Sequence, residues 1–98
     1  MISVVIPVYN EEACLEALFE RLSSLEQQGQ DRYEFIFVDD GSTDRSREII
    51  QTLAAGHDNV KYVLFSRNFG HEAAVTAGLD YASGDAVVII DADLQDPP

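Results

Sequence analysis

Short, largely apolar runs alternate with longer amphipathic stretches along this chain. The apolar runs cover residues 2–7, 35–38, 60–65 and 86–90, and each has the usual length of a β-strand. The run at 35–38 is apolar at every position, which is typical of a strand buried on both faces of a parallel sheet. The pattern therefore predicts four strands.

A helical pattern fills each interval between these runs. In the first interval, apolar side chains recur with helical spacing at Leu15, Leu18, Phe19, Leu22 and Leu25. We expect Asn10 to cap this helix and Gly29 to end it. The inner face of the second helix is formed by Ile49, Ile50 and Leu53, with Asp44 near its start and Gly56 at its end. The third helix packs through the small residues Ala73, Ala74, Ala77 and Gly78 and is expected to end near Gly84.

This alternation predicts an α/β fold with a mainly parallel sheet and flanking helices. Right-handed crossovers would wind the helices onto both faces of one Rossmann-like sheet. We expect residues 1–98 to form a single unit, the N-terminal part of a longer protein, because no helix pattern covers the last strand. A sheet left uncovered in this way would expose an edge that favours self-association.

Composition and charge limit the classes of ligand that the chain can bind. Of the 98 residues, 46% are hydrophobic, enough for a real core, and the net charge is −12, from 18 acidic and 6 basic side chains. Such an excess of acid argues against binding to nucleic acid, which needs a basic surface. An anionic ligand would need a cation or helix N-termini to offset repulsion.

Cysteine usage and hydropathy favour a cytoplasmic location. The single cysteine, Cys14, has no partner for an intrachain disulfide, which suits a reducing compartment, and we expect it to be a buried thiol in the first helix. No secretory leader pattern is visible, and no apolar run approaches the roughly 20 residues of a membrane helix.

Two carboxylates, Asp91 and Asp93, follow the last apolar run with only Ala92 between them. In an extended chain they point to the same side, and Ala92 points to the other. Their charges are costly at the end of a buried strand unless a divalent cation compensates them. Mg²⁺ and Mn²⁺ prefer such oxygen ligands, and Gln95 adds a third oxygen nearby.

Polar segments also follow the first two strands. Carboxylates at Asp39 and Asp40 can accept hydrogen bonds from a ribose hydroxyl or a base N–H, and Tyr9 can stack on a flat base. Neither a G-x-G-x-x-G turn nor a P-loop lysine motif is present, so a metal becomes more necessary for binding phosphates. Because ligands bind beyond the carboxyl ends of parallel strands, these loops predict a nucleotide-diphosphate pocket.

The order of these segments resembles the N-terminal motifs of family 2 glycosyltransferases, which have the GT-A fold. The matching segments are Val-Ile-Pro-Val-Tyr-Asn-Glu at 5–11, Val-Asp-Asp-Gly-Ser at 38–42 and Asp-Ala-Asp at 91–93. Ser-Arg-Asn-Phe-Gly-His-Glu at 66–72 and Leu-Gln-Asp-Pro-Pro at 94–98 further resemble the polyprenyl-phosphate branch. That branch includes dolichol-phosphate mannose synthase and bacterial undecaprenyl-phosphate sugar transferases.

The resemblance implies a role for each motif residue. The residues expected to bind the nucleotide are Pro7, Tyr9, Glu11, Val38, Asp39, Asp40, Asp91 and Ala92. Which of the two adjacent aspartates contacts the nucleotide stays open. The residues expected to hold Mg²⁺ or Mn²⁺ against the diphosphate are Asp91, Asp93 and Gln95.

The implied reaction moves a sugar from a UDP- or GDP-linked donor to a polyprenyl phosphate. In the full-length protein this would occur at the cytoplasmic face of the membrane. A catalytic base and an acceptor site belong to the C-terminal half of such domains, so these 98 residues are expected to bind a metal–nucleotide without transferring sugar. Arg67 is expected to be a surface cation, and His71 is expected to have a structural role. For each of them, contact with phosphate is the alternative.

Two other classes remain as alternatives. One is a non-catalytic nucleotide-binding or assembly fragment that pairs through its uncovered sheet. The other is a receiver-like signalling domain, which requires an acidic pair after the first strand and a phosphate-accepting aspartate after the third. Here the acidic pair follows the second strand, and Phe65, Ser66 and Arg67 follow the third.

Overall fold

The computed structural model describes residues 1–29 and 31–92 of the chain. Strands and helices alternate throughout this part, as the sequence predicts. The elements are β1 (Ile2–Val8), α1 (Leu15–Gln28), β2 (Tyr33–Asp39), α2 (Ser46–Gly56), β3 (Val60–Leu64), α3 (His71–Tyr81) and β4 (Ala86–Ile89). No helix among the described residues is both long and apolar enough to cross a bilayer.

The strands form one parallel sheet in the order β3-β2-β1-β4. The chain moves outward from β1 to β3 and then returns across the sheet, so β4 pairs with the opposite side of β1. The strand order therefore reverses between β1 and β4. In open α/β sheets, a crevice for ligands forms outside the carboxyl ends of the strands at such a reversal.

Helices cover both faces of the sheet, which confirms the predicted α/β architecture. On one face, α1 and α2 bury a core that includes Leu15, Phe19, Ile50, Phe35 and Phe37. The rings of Phe19 and Phe35 meet edge to face with centroids 5.8 Å apart. Full burial of one such side chain stabilises the fold by roughly 1.5–3 kcal/mol.

The other face carries α3, which packs close to the sheet through small residues. Ala74 is fully buried against Val5, Ile36 and Val38. A Cβ placed on Gly78 would lie 2.3 Å from Cγ1 of Val5, so only glycine fits at this crossing. The predicted small packing face of the third helix is therefore confirmed.

A buried carboxylate, Glu34 of β2, joins four parts of the chain at the amino ends of the strands. Its side chain is nearly inaccessible and accepts hydrogen bonds from Ser3 Oγ of β1, from the Ser83 N–H at 2.7 Å and from Lys61 Nζ at 2.7 Å. Ser83 lies in the turn that enters β4, so Glu34 fixes where β4 begins. Burial opposes the charged form, but these hydrogen bonds lower the pKa of Glu34 to about 2.

Two local expectations about α1 are wrong. The helix begins at Leu15, and Asn10 lies five residues earlier with a positive φ of 52°. Its side chain serves a neighbouring loop instead of capping the helix, as described below. Cys14 directly precedes the helix and is only partly buried. Gly29 does end α1, because its N–H donates to the Leu25 carbonyl oxygen at 3.2 Å.

The remaining boundaries differ little from the expected ones. The second helix ends at Gly56 as predicted, but α3 ends at Tyr81 instead of near Gly84. β4 is an edge strand of the described sheet, and Val87, Val88 and Ile89 are 41%, 44% and 46% exposed.

Candidate functional site

Four loops meet at the carboxyl edge of the sheet, around the reversal between β1 and β4. They follow β1 (residues 9–14), β2 (residues 40–45), β3 (residues 65–70) and β4 (residues 90–92). Two adjoining cavities open between them.

The first, called the Tyr9 cavity, has a volume of about 310 Å³. Its lining residues are Pro7, Val8, Tyr9, Asp40, Asn68, Gly70, His71 and Ala74. Tyr9 is 47% exposed, so part of its side chain is accessible to a ligand. The cavity therefore offers an aromatic ring and a carboxylate, the groups that a nucleobase and its ribose need.

The second, called the Asp91 cavity, has a volume of about 250 Å³. Its lining residues are Pro7, Glu11, His71, Asp91 and Ala92. Pro7 and His71 belong to both cavities, so the two form one continuous crevice. Its Asp91 end carries two carboxylates, at Glu11 and Asp91.

Reciprocal hydrogen bonds hold the loop after β1 against the loop after β2. The Asn10 N–H donates to Ser42 Oγ at 2.9 Å, and the Thr43 N–H donates to Asn10 Oδ1 at 2.8 Å. The Glu11 N–H donates to Ser46 Oγ at 2.9 Å. Because Tyr9 and Glu11 flank Asn10, this pairing fixes the positions of two predicted nucleotide-binding residues.

Asp44 completes the pairing and starts α2. Its Oδ1 accepts from the Ser46 N–H at 2.8 Å, and its Oδ2 accepts from the Glu12 N–H at 3.2 Å. Partial burial opposes its charge, but these hydrogen bonds lower the pKa of Asp44 below its usual value. The predicted role of Asp44 at the helix start is confirmed.

Asp40 lines the Tyr9 cavity and shapes its wall. It is 4% exposed, and its carboxylate accepts from the Phe69 N–H at 2.7 Å, from the Gly70 N–H at 3.0 Å and from Asn68 Nδ2 at 3.0 Å. These bonds draw the loop after β3 against the loop after β2. Without them, the cavity would lose the wall formed by Asn68 and Gly70.

Asp39 lies behind that wall and lines neither cavity. It is fully buried, its Oδ2 accepts from the Ser42 N–H at 3.0 Å, and Arg47 Nε lies 3.7 Å from the same oxygen. Within the described part of the chain, its Oδ1 has no hydrogen-bond partner. The two adjacent aspartates therefore differ: Asp40 faces the crevice, and Asp39 orders the turn beneath it.

The turn itself depends on Gly41, whose φ is +77°. A Cβ at this position would lie 2.3 Å from the carbonyl carbon of Arg67. The backbones of the loops after β2 and β3 therefore touch here, and a side chain would separate them.

The side chains of Asp91 and Ala92, which follow β4, have opposite environments. The Asp91 side chain is 66% exposed, whereas Ala92 is 3% exposed and packs into the core under α1. His71 Nε2 lies 3.1 Å from Asp91 Oδ1. The predicted metal ligands Asp93 and Gln95 lie outside the described residues.

The donor chemistry at this end fits a hard divalent cation. Two acidic residues, Glu11 and Asp91, line one cavity, and carboxylate oxygens suit Mg²⁺ and Mn²⁺. Across residues 1–29 and 31–92, no group of three histidine, cysteine or acidic side chains is placed to hold a metal ion.

Two other predicted residues lie away from the crevice. Val38 is fully buried among Val5, Ile36 and Ala74, directly behind the Tyr9 cavity. Arg67 lies over the ring of Phe69, 4.7 Å from its centroid, and lines neither cavity.

Sequence reasoning missed Asn68, Gly70 and Ala74 as lining residues. Their positions depend on the approach of the loop after β3 to Asp40, across 28 to 30 positions of sequence. The segment at 66–72, already conspicuous in the sequence, was the available signal.

A larger depression of about 640 Å³ lies at the opposite edge of the sheet. Glu34, Asn59 and Lys61 are among its lining residues. Ligands of parallel sheets bind at the carboxyl ends of strands, so we assign the site to the crevice.

Comparisons with known proteins agree with this geometry. The glycosyl transferase family 2 model matches residues 3–98. Over 96 residues, the chain is 53% identical to the uncharacterized glycosyltransferase YkcC of Bacillus subtilis, covering 98% of this chain and 30% of the relative. It is 50% identical over 99 residues to the undecaprenyl-phosphate 4-deoxy-4-formamido-L-arabinose transferase of Aeromonas hydrophila, covering 100% of this chain and 30% of that enzyme.

Among solved structures, the mannosyltransferase PcManGT from Pyrobaculum calidifontis, in complex with GDP-Man and Mn²⁺, superposes with a TM-score of 0.78. Its sequence is 31% identical, and the match covers 94% of this chain and 27% of that one. The GT-A fold implied by the sequence motifs is thereby confirmed. The chain spans 30% of the length of the curated relatives described above. Because the family model covers nearly all of its residues, the chain belongs to glycosyl transferase family 2.

Proposed function

We propose that residues 1–98 form the N-terminal, nucleotide-sugar-binding part of a glycosyltransferase. The observation that carries this is the continuous crevice at the reversal between β1 and β4. It offers Tyr9 and Asp40 to a nucleoside at one end and carboxylates to a cation at the other. A UDP- or GDP-linked sugar matches these two ends, because its flat base can bind at Tyr9 and its anionic diphosphate can bind the cation.

In this arrangement, the base and ribose occupy the Tyr9 cavity. Tyr9 stacks on the base, and Pro7 forms the wall between base and diphosphate. Between the adjacent aspartates, we assign the nucleoside contact to Asp40, because it faces the cavity and Asp39 does not. Val38 supports the wall from behind and touches no ligand atom.

The diphosphate then lies in the Asp91 cavity, along Asp91 and Ala92. Asp91 and Asp93, with Gln95 beside them, would hold Mg²⁺ or Mn²⁺, and Glu11 borders the same space. The bound cation would act as a Lewis acid that stabilises the departing nucleoside diphosphate. The net charge of −12 favours such a cation, because an acidic chain otherwise repels phosphate.

For the whole protein, we propose transfer of the sugar to a polyprenyl phosphate at the cytoplasmic face of the membrane. Support comes from the 50% identity to an enzyme named as an undecaprenyl-phosphate sugar transferase. The catalytic base and the acceptor site would lie outside residues 1–98, so the chain alone should bind donor nucleotide without turnover.

Calorimetry with the purified chain tests donor binding. UDP and GDP are titrated with and without Mn²⁺, and we expect one of them to bind measurably without metal and much more tightly when Mn²⁺ is present. Asp93→Ala should abolish this metal dependence, whereas Asp80→Ala, on the exposed surface of α3, should leave it unchanged. The proposal would be contradicted if neither UDP nor GDP bound in the presence of Mn²⁺.

We also propose that the exposed edge at β4 allows the isolated chain to self-associate. Val87, Val88 and Ile89 present apolar side chains beside a strand edge that no other strand of residues 1–29 and 31–92 pairs with. Light scattering at increasing concentration should show dimers or larger species. A constant monomer mass would refute this part.

A further inference from the structure

His71 lies where the two parts of the crevice meet. It is the first residue of α3 and lines both the Tyr9 cavity and the Asp91 cavity. Its backbone position is fixed from β2, because the preceding Gly70 N–H donates to the Asp40 carboxylate at 3.0 Å. The imidazole is thus held beside the crevice by the same residue that builds the wall of the Tyr9 cavity.

The imidazole reaches the end of β4. His71 Nε2 is 3.1 Å from Asp91 Oδ1, and this is the hydrogen bond that the structure records for the Asp91 carboxylate. The two residues are 20 positions apart, and their side chains are 63% and 66% exposed. A solvent-accessible carboxylate at the end of an edge strand has several rotamers available, and the hydrogen bond selects one of them.

On the basis of the function proposed above, we propose that His71 is a positioning residue that orients Asp91 toward the metal end of the crevice. The selected rotamer places the Asp91 carboxylate in the cavity that Glu11 also lines. Hydrogen-bonded partners of ligating groups fix their direction, and their loss typically weakens metal binding by about 10- to 100-fold. His71 acts through Asp91 and need not touch the nucleotide.

This role differs measurably from direct contact with the nucleotide. A side chain that binds the diphosphate contributes to nucleotide affinity whether or not metal is present. A side chain that only orients Asp91 contributes to the affinity for Mn²⁺ and leaves metal-free nucleotide binding unchanged. The two affinities therefore have to be measured separately.

The experiment uses the purified chain with His71→Ala, His71→Gln and, as a control, His57→Ala at the opposite edge of the sheet. Glutamine carries an amide nitrogen at a reach comparable to that of Nε2, so it can restore the bond to Asp91. Mn²⁺ affinity is measured from the electron paramagnetic resonance signal of free Mn²⁺ at saturating nucleotide. Nucleotide affinity without metal is measured by calorimetry, and thermal unfolding checks the fold.

We expect His71→Ala to weaken Mn²⁺ binding by about tenfold or more at unchanged metal-free nucleotide affinity, and His71→Gln to recover most of the loss. His57→Ala should match the wild type in Mn²⁺ binding. Two outcomes would show that the positioning role is wrong while the proposed function stands, provided that the wild type binds nucleotide with Mn²⁺. In the first, His71→Ala keeps full Mn²⁺ affinity. In the second, His71→Ala loses as much metal-free nucleotide affinity as Mn²⁺ affinity. If the wild type binds no nucleotide, both are overturned.

Discussion

Glu34 gives the sharpest test of how this fold is held together. It is 3% exposed near the amino end of an otherwise largely apolar strand, yet it is charged at neutral pH. Its pKa falls from 4.5 to about 2 because donors from Lys61, Ser3 and Ser83 outweigh the cost of burial. A difference of that size between the folded and unfolded states corresponds to roughly 3 kcal/mol of stability at neutral pH.

The sign of the pH dependence follows from the lowered pKa. Above the unfolded value of 4.5, both states are ionised and the full stabilisation is present. As the pH falls from 4.5 toward 2, Glu34 is protonated in the unfolded state but stays ionised in the folded state, so stability declines. Below the folded value, both states are protonated and the contribution has disappeared.

We therefore expect Glu34→Gln to lower the free energy of unfolding by about 3 kcal/mol at pH 7, since the neutral amide cannot replace a carboxylate beside Lys61. The difference from wild type should shrink as the pH is lowered from 4.5 to 2. Urea denaturation followed by circular dichroism, at several pH values, measures it. Because the chain has 18 acidic side chains, the comparison of the variant with the wild type cancels the titration of the 17 other than Glu34.

Glu20→Gln, on the exposed side of α1, is the matched control and should change little at any pH. Lys61→Ala should cause a smaller loss than Glu34→Gln, because the lysine side chain is 49% exposed and solvent can replace part of its contact. A Glu34→Gln effect that stays the same between pH 7 and pH 2 would refute the electrostatic reasoning and point to packing alone.

Three further substitutions test the crevice and its support. Gly41→Ala should destabilise the chain by about 1–3 kcal/mol and weaken nucleotide binding, because its positive φ and its contact with Arg67 exclude a Cβ; unchanged binding would contradict this. Gly78→Ala should cost about 1–3 kcal/mol through overlap with Val5, seen as a lower melting temperature, while the folded fraction keeps its nucleotide affinity. Asn10→Ala should cost about 1–2 kcal/mol in urea denaturation, because it removes the acceptor that holds the loop after β2; an effect no larger than that of an exposed α1 substitution would contradict it.

The order and type of the elements could be predicted from the sequence because each depends on local pattern. The apolar run at 35–38 is buried on both faces, and the spacing from Leu15 to Leu22 places one side of α1 on the sheet. Gly78 could be assigned to a packing face for the same reason. In each case, the residues that determine the element lie within it.

Roles that depend on distant partners could not be predicted. Asn10 looks like a helix cap in its own segment, but its side-chain Oδ1 accepts hydrogen bonds from backbone N–H groups 33 and 34 positions away. Glu34 lies in a largely apolar strand, and two of its partners, Lys61 and Ser83, are 27 and 49 positions away. Local propensity treats both as ordinary polar residues, whereas the fold makes both essential to loop placement.

The adjacent aspartates show the same limit at the site. Nothing in the local sequence separates Asp39 from Asp40, because both come directly after the apolar run at 35–38 and both precede Gly41. They differ only after folding, when the N–H groups of Phe69 and Gly70 approach Asp40 from the loop after β3.

β4 connects these observations, because it carries Asp91 but has little cover of its own. It pairs with β1 alone among the described strands, and three of its apolar side chains are exposed. Its start is set by Ser83, which Glu34 binds, and its end is joined to α3 through His71 and Asp91. The proposed metal end of the crevice therefore depends on contacts at both ends of a weakly covered strand. For that reason, loss of the Glu34 carboxylate, at the opposite edge of the sheet, should also lower the affinity for Mn²⁺, whereas an equal loss of stability from Gly78→Ala should not.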